Sequence, residues 1–344
     1  MVAVIWILAA IVIAATVFSF WVDNLRDQAL KLQQQAELSR REKELISQLL
    51  FSYVSGANGP DGVVLPFQSQ SGSRVAPAAF TSLGDFLNGG SSVKPLDPGA
   101  VLLRMAGSVL DAGNGVRVLI QDRAGLIGLS HLNSRKVFRY FAESPVDSGI
   151  RVKPEVLKDV LRDYQDSDLS RSLYGAERSS YMQASLLPPA DGFLRTPLQL
   201  REVMHWGEVL KPYSDSDLLM MFKAEGNALV NINTAPKSVL NVLYDSAEGV
   251  NSVIDARSQG SYHSVFDIPG GRQGEDFYFT ISPSSGVRVW TWVKGSTVAS
   301  VYDIQFRYLA PGDRAIYINW VLRVALPDEL AKSTAEVVEH PFFH

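Results

Sequence analysis

The chain of 344 residues is 46% apolar and 20% charged, enough apolar side chain for a substantial core and too much for a disordered polymer. A formal charge of −4, with no Lys/Arg run longer than Arg40-Arg41, argues against nucleic acid as the main partner, because phosphate binding needs a concentrated basic face. The absence of cysteine removes disulfides, thiol catalysis and thiolate-ligated zinc, and the five histidines (His131, His205, His263, His340 and His344) are far apart in sequence.

Val2 to Val22 is apolar apart from Thr16 and Ser19, and the first charge is Asp23. About 20 helical residues, rising roughly 1.5 Å each, cross a hydrocarbon core of about 30 Å. The run has no polar stripe, which distinguishes it from a core helix, and nothing basic precedes it as in a cleaved secretory signal. Asp23 to Leu50 contains neither Gly nor Pro, is rich in helix formers, and places Leu25, Ala29, Leu32 and Ala36 on one narrow stripe. The spacing predicts one continuous helix of about 50 residues, roughly 75 Å long. Its first half suits lipid and its second half suits packing against a domain.

That arrangement resembles the ground plan of type IV pilins and pseudopilins. Such subunits are made with a short basic leader that is cut before the apolar helix. The resemblance therefore implies that Met1 is the mature first residue or that the start is truncated. Most of these subunits carry Glu at the fifth mature position. Ile5 stands there in this chain, a departure shared with one class of minor pseudopilin, so Met1 and Ile5 are the positions it singles out for assembly.

Residues 56 to 99 are rich in Gly, Ser, Pro and Asn and read as irregular surface structure with short strands. Val116-Arg-Val-Leu-Ile-Gln121 reads as a strand. From about 134 to 270 the pattern turns helical, as in Pro154-Glu-Val-Leu-Lys-Asp-Val-Leu161 and Leu198-Gln-Leu-Arg-Glu-Val-Met204, with Pro154 and Pro197 as start signals. From Phe277 the period becomes two, through Val287 to Val293, Tyr302 to Tyr308 and Ile316 to Val324. After Pro327 the chain is charged and reads as loose. The expected class is α+β, with a helical insertion in a sheet domain.

Three stretches resemble the K-type minor pseudopilin of type II secretion systems. They are Leu119-Ile-Gln-Asp-Arg-Ala-Gly-Leu-Ile-Gly-Leu-Ser-His-Leu-Asn133; Asp163-Tyr-Gln-Asp-Ser-Asp168 with Gly175-Ala-Glu177 and Tyr181; and Val230-Asn-Ile-Asn-Thr-Ala-Pro236. The first departs from the family pattern by two inserted residues before Leu-Asn, and the second has Tyr164 where the family has Trp. Each motif alone is weak, but in this order, behind a helix lacking Glu, they are specific. The resemblance implies a type IV pilin-like α+β fold with a long N-terminal helix, an antiparallel sheet and an inserted all-helical domain. The boundaries are 1–50 for the transmembrane and assembly helix, 51–133 with 275–327 for the pilin-like domain, 134–274 for the insertion and 328–344 for a flexible tail. It implies a non-enzymatic subunit at the tip of the pseudopilus, beside I-type and J-type minor pseudopilins. Other pseudopilus and inner-membrane secretion components are further partners, and prepilin peptidase acts during maturation. The expected location is the bacterial inner membrane, crossed once, with the C-terminal domain in the periplasm and the subunit at the pseudopilus tip after assembly. A minor pilin of a related type IV pilus fits the same residues.

The acidic stretch has a reading of its own. Asp166, Asp168, Ser170 and Glu177 occupy positions 1, 3, 5 and 12 of a twelve-residue loop, the oxygen-ligand spacing of a calcium loop between helices. Position 6 is Arg171 instead of glycine, so an EF-hand proper is not expected. The bland alternative is a solvated acidic loop in which Asp166 or Asp168 caps the next helix. Calcium binding by K-type pseudopilins, as the resemblance implies, favours the metal at Asp166, Asp168 and Glu177.

Two other classes compete. An Asn-x-Asn-Thr-Ala opening similar to Asn231-Ile-Asn-Thr-Ala235 precedes helix-hairpin-helix DNA-binding domains, and the likeness continues through Val253 to Arg257 and Phe266 to Ile268. The Gly-apolar-Gly hairpin is missing, however, and residues 231–273 set Lys237, Arg257 and Arg272 against Asp245, Glu248, Asp255 and Asp267. For catalysis there is no Gly-x-Ser-x-Gly, no His-Glu-x-x-His and no P-loop; Gly270-Gly-Arg-Gln-Gly274 lacks the Lys-Ser/Thr ending. His205 beside Trp206 reads as helix-end packing, and no enzyme is expected.

Overall fold

The computed structural model describes residues 2–55, 57–58, 62–65, 101–113, 115–143, 152–226, 229–269, 278–306 and 316–337. Met1, most of 56–99, and the Gly270–Gly274 and Glu275-Asp276 stretches lie outside the described residues. The chain divides into two compact units, 1–50 and 51–344.

The first unit is helix. α1 runs unbroken over Val2–Ser55, close to the length that the residue pattern predicts, and its residues 51–55 belong to the second unit. Val4–Leu30 is long and apolar enough to cross a membrane. Thr16, a polar residue in that stretch, donates its hydroxyl to the Val12 carbonyl one turn back, so it brings no unpaired donor. In the charged half, Arg40 bonds Glu37 at 2.8 Å and Glu44 at 3.2 Å, and Arg41 pairs with Glu37 at 3.3 Å. These pairs, at one-turn spacing, are exposed and screened by solvent, so they contribute little to stability.

The second unit is mixed helix and sheet. β1 (Ala57–Asn58), β2 (Gly62–Leu65) and β3 (Val101–Arg104) form a small antiparallel sheet. β4 (Ala106–Asp111) and β5 (Val116–Asp122) begin the main one, followed by β6 (Ile127–Gly128). Helices then span Arg135–Ala142, Pro154–Gln165, Arg178–Gln183, Trp206–Val209, Asp215–Met221, Lys237–Leu243 and Ala247–Gln259. This helical block also carries two short strands, β7 (Phe222–Lys223), which the residue pattern does not signal, and β8 (Leu229–Asn231), which ends where the Asn231–Pro236 segment reads as a strand end turning into a helix. They pair in parallel with β6 and with β9 (Tyr278–Thr280). Ladders of two and three residues are too short to show a period of two.

The main sheet is completed by β10 (Gly286–Val293), β11 (Val298–Phe306), β12 (Ile316–Ala325) and β13 (Glu336–Val337), in the order β12-β11-β10-β5-β4-β13. All its pairings are antiparallel except β13 on β4. β10 is central and buried on both faces, including Trp290, Trp292 and Arg288. The chain after Pro327, expected to be loose, instead forms a helix over Asp328–Lys332 and then β13. Leu330 packs into the sheet core with Trp290 and Val324, and Arg117 donates to the Ser333 carbonyl at 3.0 Å, which holds the segment down. Residues 338–344 lie outside the described residues.

The helical block has its own core around Trp206, Phe138, Phe141, Phe222, Tyr164 and Tyr181. Helix Asp215–Met221 serves both cores: Leu218 and Met221 join the helical one, and Leu219 joins the sheet. The architecture is therefore α+β: a long apolar helix first, an antiparallel sheet, and helices between its strands.

Candidate functional site

Two of the three motifs meet. The Asp122 carboxylate is 1% exposed and accepts five hydrogen bonds. They come from the Ala124 amide (2.9 Å), the Asn231 side-chain amide (3.0 Å), the Thr234 hydroxyl (2.8 Å), and the Ser284 amide (2.9 Å) and hydroxyl (2.8 Å). Gly125 lies so close to the 234–235 backbone that a Cβ would stand 2.7 Å from the Thr234 carbonyl carbon. The Asp-x-x-Gly turn and the Asn-x-Asn-Thr-Ala segment are thus the two halves of one buried polar junction between sheet and helical block.

The same junction takes up Asn233 and Arg257. Asn233 is buried, its side-chain amide donating to the Tyr262 carbonyl at 2.9 Å and its oxygen accepting from the Tyr262 amide at 2.8 Å. Arg257 Nη1 donates to the carbonyls of Ile232 and Ala235 at 3.1 and 2.8 Å. The side chains of Thr234 and Asn233 are taken up by this junction, and Pro236 stands at the cap position before Lys237–Leu243. Below the junction, the fully buried Arg288 forms a two-pronged pair with Asp303 (3.1 and 2.7 Å) and lies over the Trp320 ring. Arg123 approaches the other Asp303 oxygen at 3.3 Å. No spacing rule marks these charges in sequence, since the partners lie on different strands. His205, expected to pack at a helix end, takes a positive φ of 66° to start Trp206–Val209, and the Trp206 indole donates to the Leu157 carbonyl at 2.9 Å.

The third motif forms the acidic loop between helices Pro154–Gln165 and Arg178–Gln183. Asp163 closes it: its carboxylate accepts from the Ser172 amide at 2.9 Å and from the Ser172 hydroxyl. Gly175 is required there, because a Cβ would collide with Asp163 Oδ2. Arg171, at the position where a calcium loop would have glycine, donates to the Gly175 carbonyl at 2.9 Å and so fixes a different turn. Tyr164, where the family pattern has Trp, is buried beside Tyr181 and donates to Glu202 at 3.2 Å.

The four candidate ligands fall into two groups. Asp168 and Ser170 are exposed, and Asp168 accepts from the Ser170 amide at 2.6 Å. Glu177 is only 7% exposed, and both its carboxylate oxygens are buried without a hydrogen-bond partner, as is Oδ1 of Asp166. Burial raises the Glu177 carboxyl above its ordinary value, and the nearby charges of Asp163, Asp166, Asp168 and Asp191 raise it further. Asp166 is raised in the same way, by burial first, then by Asp168 and Asp163, with Arg162 opposing. Asp191 is the member that sequence reasoning missed, since it lies 14 positions past Glu177 with no spacing to mark it. Among the described residues no three or more His, Asp or Glu are placed so that they could hold a metal ion together. The donor set nonetheless fits calcium chemically: hard oxygens, excess negative charge, and buried acceptors with no donor.

The protein is therefore an α+β chain led by a long apolar helix, with an acidic loop in its helical block. Comparison with family models and with curated proteins finds no match to this chain. One solved structure similar to it is the crystal structure of the GspK-GspI-GspJ complex from the enterotoxigenic Escherichia coli type 2 secretion system. The likeness covers 87% of this chain and 99% of that one, at 13% identity and a TM-score of 0.46.

Proposed function

We propose that this chain is a non-enzymatic minor pseudopilin of the K type, serving at the tip of a type II secretion pseudopilus. The observation that carries the reading is α1: a single helix, uncharged from Val2 to Val22, continuing without break to Ser55. The ordered motifs around Asp122, Asp166 and Asn231 support it. In this reading the helix anchors the subunit in the inner membrane, with the second unit in the periplasm, and later exchanges lipid for neighbouring helices. In major subunits of this kind a carboxylate in the helix neutralises the next subunit's N-terminal amine. The apolar run Val2 to Val22 holds no carboxylate, which suits a subunit added first. The test is reconstitution of the full chain in mild detergent with I-type and J-type minor pseudopilins and Ca²⁺. A stable three-part complex is expected, and its absence would overturn the tip assignment.

Calcium belongs to the same proposal. Asp166 and Glu177 would supply buried oxygens, with Asp168, Ser170 and Asp191 beside them, and a divalent cation would offset their mutual repulsion. Calorimetric titration of the full chain with Ca²⁺ should show binding that Glu177→Ala weakens. Identical isotherms would remove Glu177 as a ligand.

A further inference from the structure

The two edges of the main sheet are closed to different degrees. On one side β13 is two residues long and pairs with β4, and Leu330 and the Arg117–Ser333 bond hold the chain that leads into it. A short, tied-down edge strand offers little template for further pairing. On the other side β12 is ten residues long, and no described strand pairs with its outer side. The Ala325 carbonyl at its end accepts from the Ser216 hydroxyl. From Ile318 to Arg323 the main chain has no partner among the described residues outside the β11 ladder. This stretch holds neither Pro nor Lys, the usual guards of an edge, and its one irregularity is a bulge at Asn319.

The bulge sorts the side chains. Asn319 has no partner on β11 and donates its amide to Asp303 at 2.8 Å, while the Trp320 ring lies against Arg288. Ile318, Val321 and Arg323 stand opposite Ile304, Tyr302 and Ser300, which alternate along β11, so the three share one face. Ile318 is 51% and Val321 48% exposed, and Arg323 is exposed with no acidic partner among the described residues.

An open row of main-chain donors and acceptors asks for another row of the same kind, which a lipid or a small anion does not supply. The two apolar side chains ask for apolar neighbours across the strand, and Arg323 asks for a carboxylate. We propose that the outer edge of β12 is a docking site for an extended strand of another polypeptide. The strand would join the main sheet beside β12, with apolar side chains next to Ile318 and Val321 and an acidic one next to Arg323. A second copy of this chain pairing β12 with β12 fits less well, because β12 carries no acidic residue to set against Arg323. The site goes beyond the pseudopilin reading and uses no residue of the acidic loop.

The test uses the full chain in detergent and fluorescence anisotropy of a labelled peptide that alternates Val and Thr and ends in Glu. Saturable binding is expected, equal in EDTA and in Ca²⁺. The same peptide with two adjacent central amides N-methylated lacks donors on both of its edges and should bind at least about tenfold more weakly. The double variant I318K/V321K puts charge on the open edge and should weaken binding by roughly tenfold. R323E should weaken it by a smaller factor and regain affinity for a peptide that ends in Lys. All three positions are exposed, so these variants are expected to fold, and R323E stands as an independent variant should the double one not. No saturation up to about 1 mM, equal affinity of the N-methylated peptide, or full affinity in all folded variants would overturn the proposal. Self-association of the chain in light scattering that I318K/V321K abolishes would also overturn it, by giving the edge to a second copy.

Discussion

The Asp122 junction and the acidic loop are both built on buried carboxylates, and they are handled in opposite ways. At Asp122 five donors from three segments converge on one carboxylate, and the group serves as a structural tie between sheet and helices. At Glu177 burial is as deep to within a few per cent of exposure, yet neither oxygen has a donor, and its charged neighbours are carboxylates. Burying an anion without compensation costs folding energy, a cost that protonation of the raised carboxyl relieves and that the proposed cation would relieve as well. A buried carboxylate is thus read by its donors, and depth alone does not distinguish a tie from a binding site.

The comparison can be broken most strongly at the tie. Asp122→Ala leaves the donors of Asn231, Thr234 and Ser284 without their acceptor, and should cost roughly 3–5 kcal/mol, read as a lower urea midpoint of the full chain in detergent. A loss under about 1 kcal/mol would mean that water or rearrangement replaces the carboxylate. Gly125→Ala drives a methyl into the Thr234 carbonyl and should cost about 1–3 kcal/mol in the same measurement.

The smallest effect sharpens the other side. The Glu177 carboxyl is raised in the folded state above its ordinary value of 4.5, so the folded chain holds that proton more tightly than the unfolded one. Without metal, stability from this group is therefore complete below 4.5 and is lost as pH rises through the folded value. Glu177→Gln should be the more thermally stable protein at pH 7 in EDTA, and the gap in Tm should close as pH falls towards 4.5. Calcium should reverse the order. A gap independent of pH and of calcium would show that Glu177 is neither strained nor a ligand.

Much of this protein is written in its residue pattern. The helix of α1 was legible because a run of 21 residues without charge, followed by a Gly- and Pro-free charged stretch, leaves few other structures. Alternation made β10, β11 and β12 legible, the short run between glycine-bearing turns did so for β5, and Pro154 marked the start of its helix. Residues 328–337 read as loose because Asp328, Glu329, Lys332 and Glu336 dominate their pattern, while in the structure Leu330, with Ala335 packed beside it, holds them to the sheet.

The acidic spacing from Asp166 to Glu177 was visible as a candidate, but which of its carboxylates are buried and unpaired was not, because that depends on neighbours such as Asp163 and Asp191. Nor did spacing link Asp122 to Asn231 and Thr234, more than a hundred residues on. Sequence by itself determined the period of each element and the order of the motifs, since these depend on local sterics and side-chain type. Tertiary structure decided which polar groups meet, because hydrogen bonding and charge compensation act across space between segments that no local pattern connects.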